Sequence, residues 1–116
     1  MEEKRRYLKR RSERAEANVV LHFSDGERLY TDHLVDISMG GIQIETMRPL
    51  EPATALTLSL PCEPPVKVRG RVRWARKQGL KYRVGIEFLN LTIEQEYRVR
   101  EITRAFFWNM SQTGLD

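Results

Sequence analysis

Two periodicities divide the chain. In segments between Val19 and Phe88 apolar residues recur at every second position, and beyond Thr92 they recur at steps of three and four. Val19, Leu21 and Phe23 alternate with Val20 and His22, predicting a strand over 18–23. Ser24-Asp25-Gly26-Glu27 reads as a tight hairpin turn, with Asp-Gly at the left-handed positions, and a second strand is expected over 28–37. Ile42 and Ile44 alternate with Gln43 and Glu45, and Leu56, Leu58 and Leu60 with Thr57 and Ser59, adding two half-buried strands. Pro49, Pro52 and the Pro61-Cys62-Glu63-Pro64-Pro65 stretch cannot donate into a ladder and mark connections. Over 66–74, Val66, Val68, Gly70, Val72 and Trp74 fall on one face, and Lys67, Arg69, Arg71 and Arg73 on the other. After Gly79 the chain returns over 82–88 with Val84, Ile86 and Phe88 inward. Gly70 and Gly85, inside strands, suggest bends or bulges of the kind that close a small barrel.

The last segment is helical in pattern. Thr92 followed three residues later by Gln95 is a capping-box signal, and Val99, Ile102, Phe106 and Met110 form one apolar stripe. Glu94/Arg98 and Glu96/Arg100 are opposite charges one turn apart, while Phe107 and Trp108 lie off the stripe, to cap the barrel or meet another subunit. Six short strands and one terminal helix predict an all-β fold: a six-stranded antiparallel β-barrel plus a C-terminal α-helix. The expected division is a basic N-terminal arm over 1–17 and the barrel with its helix over 18–116.

Composition narrows the function classes. The chain has 116 residues, 41% of them hydrophobic and 31% charged, as in one ordinary globular domain. Its longest apolar runs are too short to span a bilayer, and no apolar stretch follows the basic N-terminus, so neither membrane insertion nor a signal peptide is expected and cytoplasm is the default compartment. A single cysteine, Cys62, excludes an internal disulfide and leaves no Cys/His cluster for a metal. No nucleophile–base set or carboxylate pair can be placed together, so an enzyme is not expected. The charge is uneven: residues 1–14 hold seven Lys/Arg against three Glu, while the other 102 residues balance at 13 of each sign. The whole excess of +4 therefore sits in the arm, which suits a partner rich in phosphate or carboxylate, or simply a solvated tail.

The remaining candidate chemistry is Asp36-Ile37-Ser38-Met39-Gly40-Gly41. Asp36 and Ser38, two apart, point to one face of an extended segment, and the two glycines allow positive φ and close backbone approach. The turn supplies an acceptor, a hydroxyl and bare amides; the arm supplies guanidinium forks. Taken alone, Asp36 and Ser38 would also serve as an ordinary Asx or Ser turn, and Gly40-Gly41 as a plain bulge.

Together these stretches resemble the PilZ domain, a bacterial six-stranded barrel that binds cyclic di-GMP. That family carries RRxxxR in an N-terminal arm and [DN]xSxxG after the second strand. Asp36-x-Ser38-x-x-Gly41 fits the second motif, and the Gly-Arg-Val-Arg-Trp and Tyr-Arg-Val-Gly-Ile-Glu-Phe strands look similar. Arg5, Arg6 and Arg10 fit the first motif literally. Lys9, Arg10 and Arg14, with lysine in the leading place, keep a spacing to Asp36 closer to the family's, and this register is preferred. The resemblance implies a cyclic di-GMP site at Lys9, Arg10, Arg14, Asp36, Ser38, Gly40 and Gly41, with Arg5 and Arg6 as the alternative arm register and no cofactor or metal. Trp74 occupies a place where some relatives set an aromatic against guanine, although its shared face with Val68 and Val72 also suits core packing.

An arginine fork matches guanine O6 and N7, and a carboxylate accepts from the opposite edge. On this reading the ligand orders the arm against the barrel and creates a surface for a downstream protein target in trans, in motility, biofilm or polysaccharide machinery, with no DNA involved. Oligomeric state and ligand stoichiometry are left open. The rivals are a PilZ-like adaptor that has lost nucleotide binding and, further off, a small barrel binding single-stranded RNA.

Overall fold

The computed structural model describes residues 19–114. Six antiparallel strands close on themselves in the order β1-β2-β3-β6-β5-β4: β1 (Val20–Ser24), β2 (Leu29–Ile37), β3 (Gly41–Thr46), β4 (Ala55–Leu60), β5 (Val66–Gln78) and β6 (Lys81–Leu89). Helix α1 (Ile93–Gly114) follows. This is the expected barrel with one terminal helix. Closure comes from β1 against β4, with Phe23 opposite Leu58, and it removes the open edges that a small sheet tolerates poorly.

Alternation decides the inside. Leu21 and Phe23, Leu34 and Ile37, Ile42 and Ile44, Leu56, Leu58 and Leu60, Val68 and Val72, and Val84, Ile86 and Phe88 form one buried cluster. Gly70 also faces in, where a Cβ would press on Ile86 Cγ2 at 2.8 Å and Leu58 Cδ1 at 3.0 Å, so the barrel axis has no room for a side chain there. Helix α1 starts at the expected capping box: the Thr92 amide donates to Gln95 Oε1 at 2.8 Å and the Gln95 amide to Thr92 Oγ1 at 3.1 Å. Val99, Ile102 and Phe106 add their stripe to the core. Arg98 bonds Cys62 Sγ at 3.0 Å and the Pro64 carbonyl, tying the helix to the β4–β5 loop. Phe107 does not cap the barrel; it is 52% exposed. Met110 and Trp108 lie outside the residues whose side chains are described.

Three details depart from the period-two reading. In the first hairpin turn only Gly26 takes positive φ, and Asp25 instead accepts the Glu27 and Arg28 amides, each at 2.9 Å. These amides hold its carboxyl below the usual aspartate range. Strand β5 runs four residues past Trp74, so that residues 75–78 pair with 81–84 of β6 while pairing with β4 stops at Arg71. Finally, two strands carry an extra residue. Leu34 and Asp36 pair with Ile44 and Gln43, and Val72 and Trp74 pair with Ile86 and Gly85. The bulges therefore sit at Val35 and Arg73, and not at Gly70 or Gly85.

Candidate functional site

The bulges set which side chains face out. Asp36 pairs with Gln43, Gln43 with Gly85, and Gly85 with Trp74. Asp36, Gln43, Gly85 and Trp74 thus form one outward row across β2, β3, β6 and β5. Strict alternation would have put Trp74 inside with Val68 and Val72. The extra residue at Arg73 turns it to the outer face, since a one-residue shift reverses every side chain that follows. The indole lies directly over Gly85, where a Cβ would collide with its Cε2 and Nε1 atoms. Gly85 is the seat of the ring.

At the β2 end of the row stands the Asp36 turn. The Ile37 amide donates to Asp36 Oδ1 at 2.9 Å, leaving the second carboxylate oxygen for an outside donor. The Ser38 amide donates to the Gly41 carbonyl at 2.9 Å, and the Gly40 amide to Ser38 Oγ at 3.3 Å. Neither Gly40 nor Gly41 takes positive φ. Gly41 is required for another reason: a Cβ there would collide with the Ile86 carbonyl oxygen. Gly40 faces open space, with its carbonyl accepting the Phe88 amide at 2.9 Å.

These groups line a single concavity of about 190 Å³, whose wall includes Asp36, Ser38, Gly40, Gly41, Gln43 and Trp74. Arg73 and Glu87 complete the rim, joined by an ion pair of 2.8 Å. The carboxylate of Glu87 holds the Arg73 guanidinium above its ordinary value. In the sequence Arg73 falls in one row with Lys67, Arg69 and Arg71, and neither it nor Gln43 or Glu87 carries a motif. Gln43 and Glu87 alternate outward on uninterrupted strands, but the bulges at Val35 and Arg73 hide which residues of β2 and β5 stand beside them. The arm residues Arg5, Arg6, Lys9, Arg10 and Arg14 lie outside the described residues. A larger groove of about 490 Å³ runs between Val19, the Pro61 loop and α1, but its lining is mainly apolar and shares no residue with the Asp36 concavity. No group of His, Cys, Asp and Glu suited to a metal is found among the described residues, and none of their helices is long and apolar enough to cross a membrane.

The profile of the PilZ domain matches residues 8–107. The chain belongs to the PilZ domain family. Among solved structures, this PilZ domain is similar to that of CeSA from a cellulose-synthesizing bacterium (TM-score 0.61, 19% identity), over 78% of this chain and 94% of that one. It is also similar to MrkH of K. pneumonia in complex with c-di-GMP (TM-score 0.65, 16% identity), over 79% of this chain and 48% of MrkH. PlzA of Borreliella burgdorferi, likewise in complex with c-di-GMP, matches at TM-score 0.54 and 13% identity over 78% of this chain and 35% of PlzA. The chain thus spans about half of MrkH and about a third of PlzA. At these identities the likeness is one of fold. No curated protein matches in sequence.

Proposed function

We infer that this PilZ domain is a receptor for cyclic di-GMP with no catalytic activity. The observation that carries the reading is the outward row from Asp36 to Trp74, with Ser38 and the Gly40-Gly41 amides beside it in one concavity. A guanine there finds a carboxylate for its N–H edge, an aromatic platform and a hydroxyl. Its O6 and N7 remain for arginine forks, each good pair worth about 1–3 kcal/mol of discrimination. MrkH and PlzA, which share the fold, have each been solved with c-di-GMP, which favours this ligand over others of similar shape.

Arg10 and Arg14 supply those forks in the preferred register, with Lys9 adding a point charge, and Arg5, Arg6 and Arg10 supply them in the other. The cation lining the concavity, Arg73, is already paired with Glu87, so charge to oppose the two phosphodiesters has to come from outside that lining, from the arm above all. Binding then orders residues 1–17 and presents a new surface to a downstream protein in the cytoplasm, in motility or biofilm control. A second reading, an adaptor that docks without nucleotide, draws on the exposed Ile93, Tyr97 and Phe107 of α1.

Isothermal titration with cyclic di-GMP separates the two. Binding by the wild type, abolished in Asp36→Ala, supports the receptor; no heat with the wild type leaves the adaptor. Separate Arg6→Ala, Arg10→Ala and Arg14→Ala variants fix the register, with loss at Arg10 and Arg14 expected and loss at Arg6 but not Arg14 reversing it.

A further inference from the structure

The outward face continues past Trp74. One step further toward the β5–β6 turn, Arg76 and Arg83 stand directly opposite each other as a cross-strand pair. They share the parity of Trp74 and Gly85, so both belong to the outer face. Like charges in that arrangement repel and are normally avoided. The β3 partner of Arg83 is Glu45, whose carboxylate is engaged by Lys81 Nζ at 3.5 Å. Arg83 Nε is buried and has no hydrogen-bond partner. Arg76 lies over the Trp74 ring, its guanidinium carbon 4.8 Å from the centroid.

An unpaired buried donor costs stability, and so does a like-charge pair with no ion-pair partner among the described residues. An anion beside the two guanidiniums relieves the repulsion, which a neutral guanine edge does not; the Arg83 Nε, being buried, becomes a contact only when its side chain turns outward. We propose that Arg76 and Arg83 form an anion subsite on the outer face beyond Trp74, next to but outside the lining of the concavity, and that it takes a phosphate oxygen of the bound cyclic dinucleotide. This rests on the receptor reading above. The two guanidiniums then act as ligand-binding residues in the barrel wall, independent of the arm; Arg76 lies over the Trp74 ring, so a guanine that stacks there displaces it toward the phosphate.

The test is titration of cyclic di-GMP into the full chain and its Arg76→Gln, Arg83→Gln, Arg83→Lys and Asp36→Ala variants, with melting curves of each free protein. Arg76→Gln and Arg83→Gln should each bind at least about tenfold more weakly, the loss expected for one charge-assisted contact. Arg83→Lys should recover part of that loss. The free Arg83→Gln variant should melt no lower than the wild type, because the substitution removes a repulsion; in Arg76→Gln the lost stack on Trp74 offsets that gain. The weakening of binding by added salt should be shallower in both, and discrimination against cyclic di-AMP should be unchanged. Wild-type binding that is lost in Asp36→Ala but stays within twofold in both Gln variants overturns the subsite and leaves the receptor standing. Gln variants that melt lower and bind in proportion show a structural pair, and loosened discrimination with unchanged salt response shows a base contact; either overturns it. A wild type that does not bind sinks both readings.

Discussion

Ile37, Ile42, Ile86 and Val72 form one row across β2, β3, β6 and β5, and Asp36, Gln43, Gly85 and Trp74 form the next. On three of the strands the rows are one residue apart; on β5 they are two apart because of the bulge at Arg73. The first row is entirely buried and holds the barrel shut. The second faces solvent and frames the concavity. Such close neighbours should therefore respond to substitution in opposite ways, in stability for the inner row and in binding for the outer.

The largest effect expected is on the inner row. Ile42→Ala leaves a cavity between four strands and should cost about 3 kcal/mol in chemical denaturation, while the folded fraction binds cyclic di-GMP as the wild type does. Gly41→Ala comes next: its Cβ meets backbone, which cannot swing aside, so a loss of about 2 kcal/mol is expected together with a displaced turn. Trp74→Ala is the outer-row counterpart. Unfolding should shift by less than about 1 kcal/mol, because the ring is only half-buried, while titration should show about tenfold weaker binding or worse. If Trp74→Ala destabilises as much as Ile42→Ala, the two rows are not functionally distinct.

The smallest effect is expected at the other end of the barrel, at Asp32. Burial raises its pKa above the ordinary 3.8, against the opposing effects of Thr46, Arg48 and His33. Its Oδ2 is buried without a partner. A carboxyl whose folded value is raised stabilises the fold fully at pH below the ordinary value and progressively less as pH rises through the folded one. Asp32→Asn keeps the neutral shape and should raise the melting temperature by about 2 °C at neutral pH. The gain should shrink toward zero as the pH falls below about 4.

Much of this architecture is legible in the chain. The strands of Leu56–Leu58–Leu60 and Val84–Ile86–Phe88 announce their buried faces because nothing interrupts their alternation. The Thr92/Gln95 cap and the Val99–Ile102–Phe106 stripe likewise mark the helix. The face of Trp74 was not legible. A bulge adds a residue without changing composition, and a tryptophan after Val68 and Val72 continues an apolar pattern that its backbone has already left. In β2 the sign was available: Leu34 and Ile37, both inward, are three apart, which an uninterrupted strand cannot do. The end of β5 was missed for a different reason. Ala75-Arg76-Lys77-Gln78 has no apolar face because nothing among the described residues covers it, and a ladder with one partner needs none. The glycine pair was legible as a constraint but not as a mechanism, since Gly41 answers to a crowded neighbouring carbonyl rather than to its own dihedral angle.

The overhang of β5 past its contact with β4 has a colloidal consequence. Among the described residues, no strand runs along that side of residues 75–78, so this short length of backbone could template growth onto a second molecule. Two copies meeting there would bring Arg76 and Lys77 against their own counterparts, an encounter that charge repulsion discourages. Raising the ionic strength weakens that protection, and the protein's tendency to self-associate in concentrated salt should be read at this margin first.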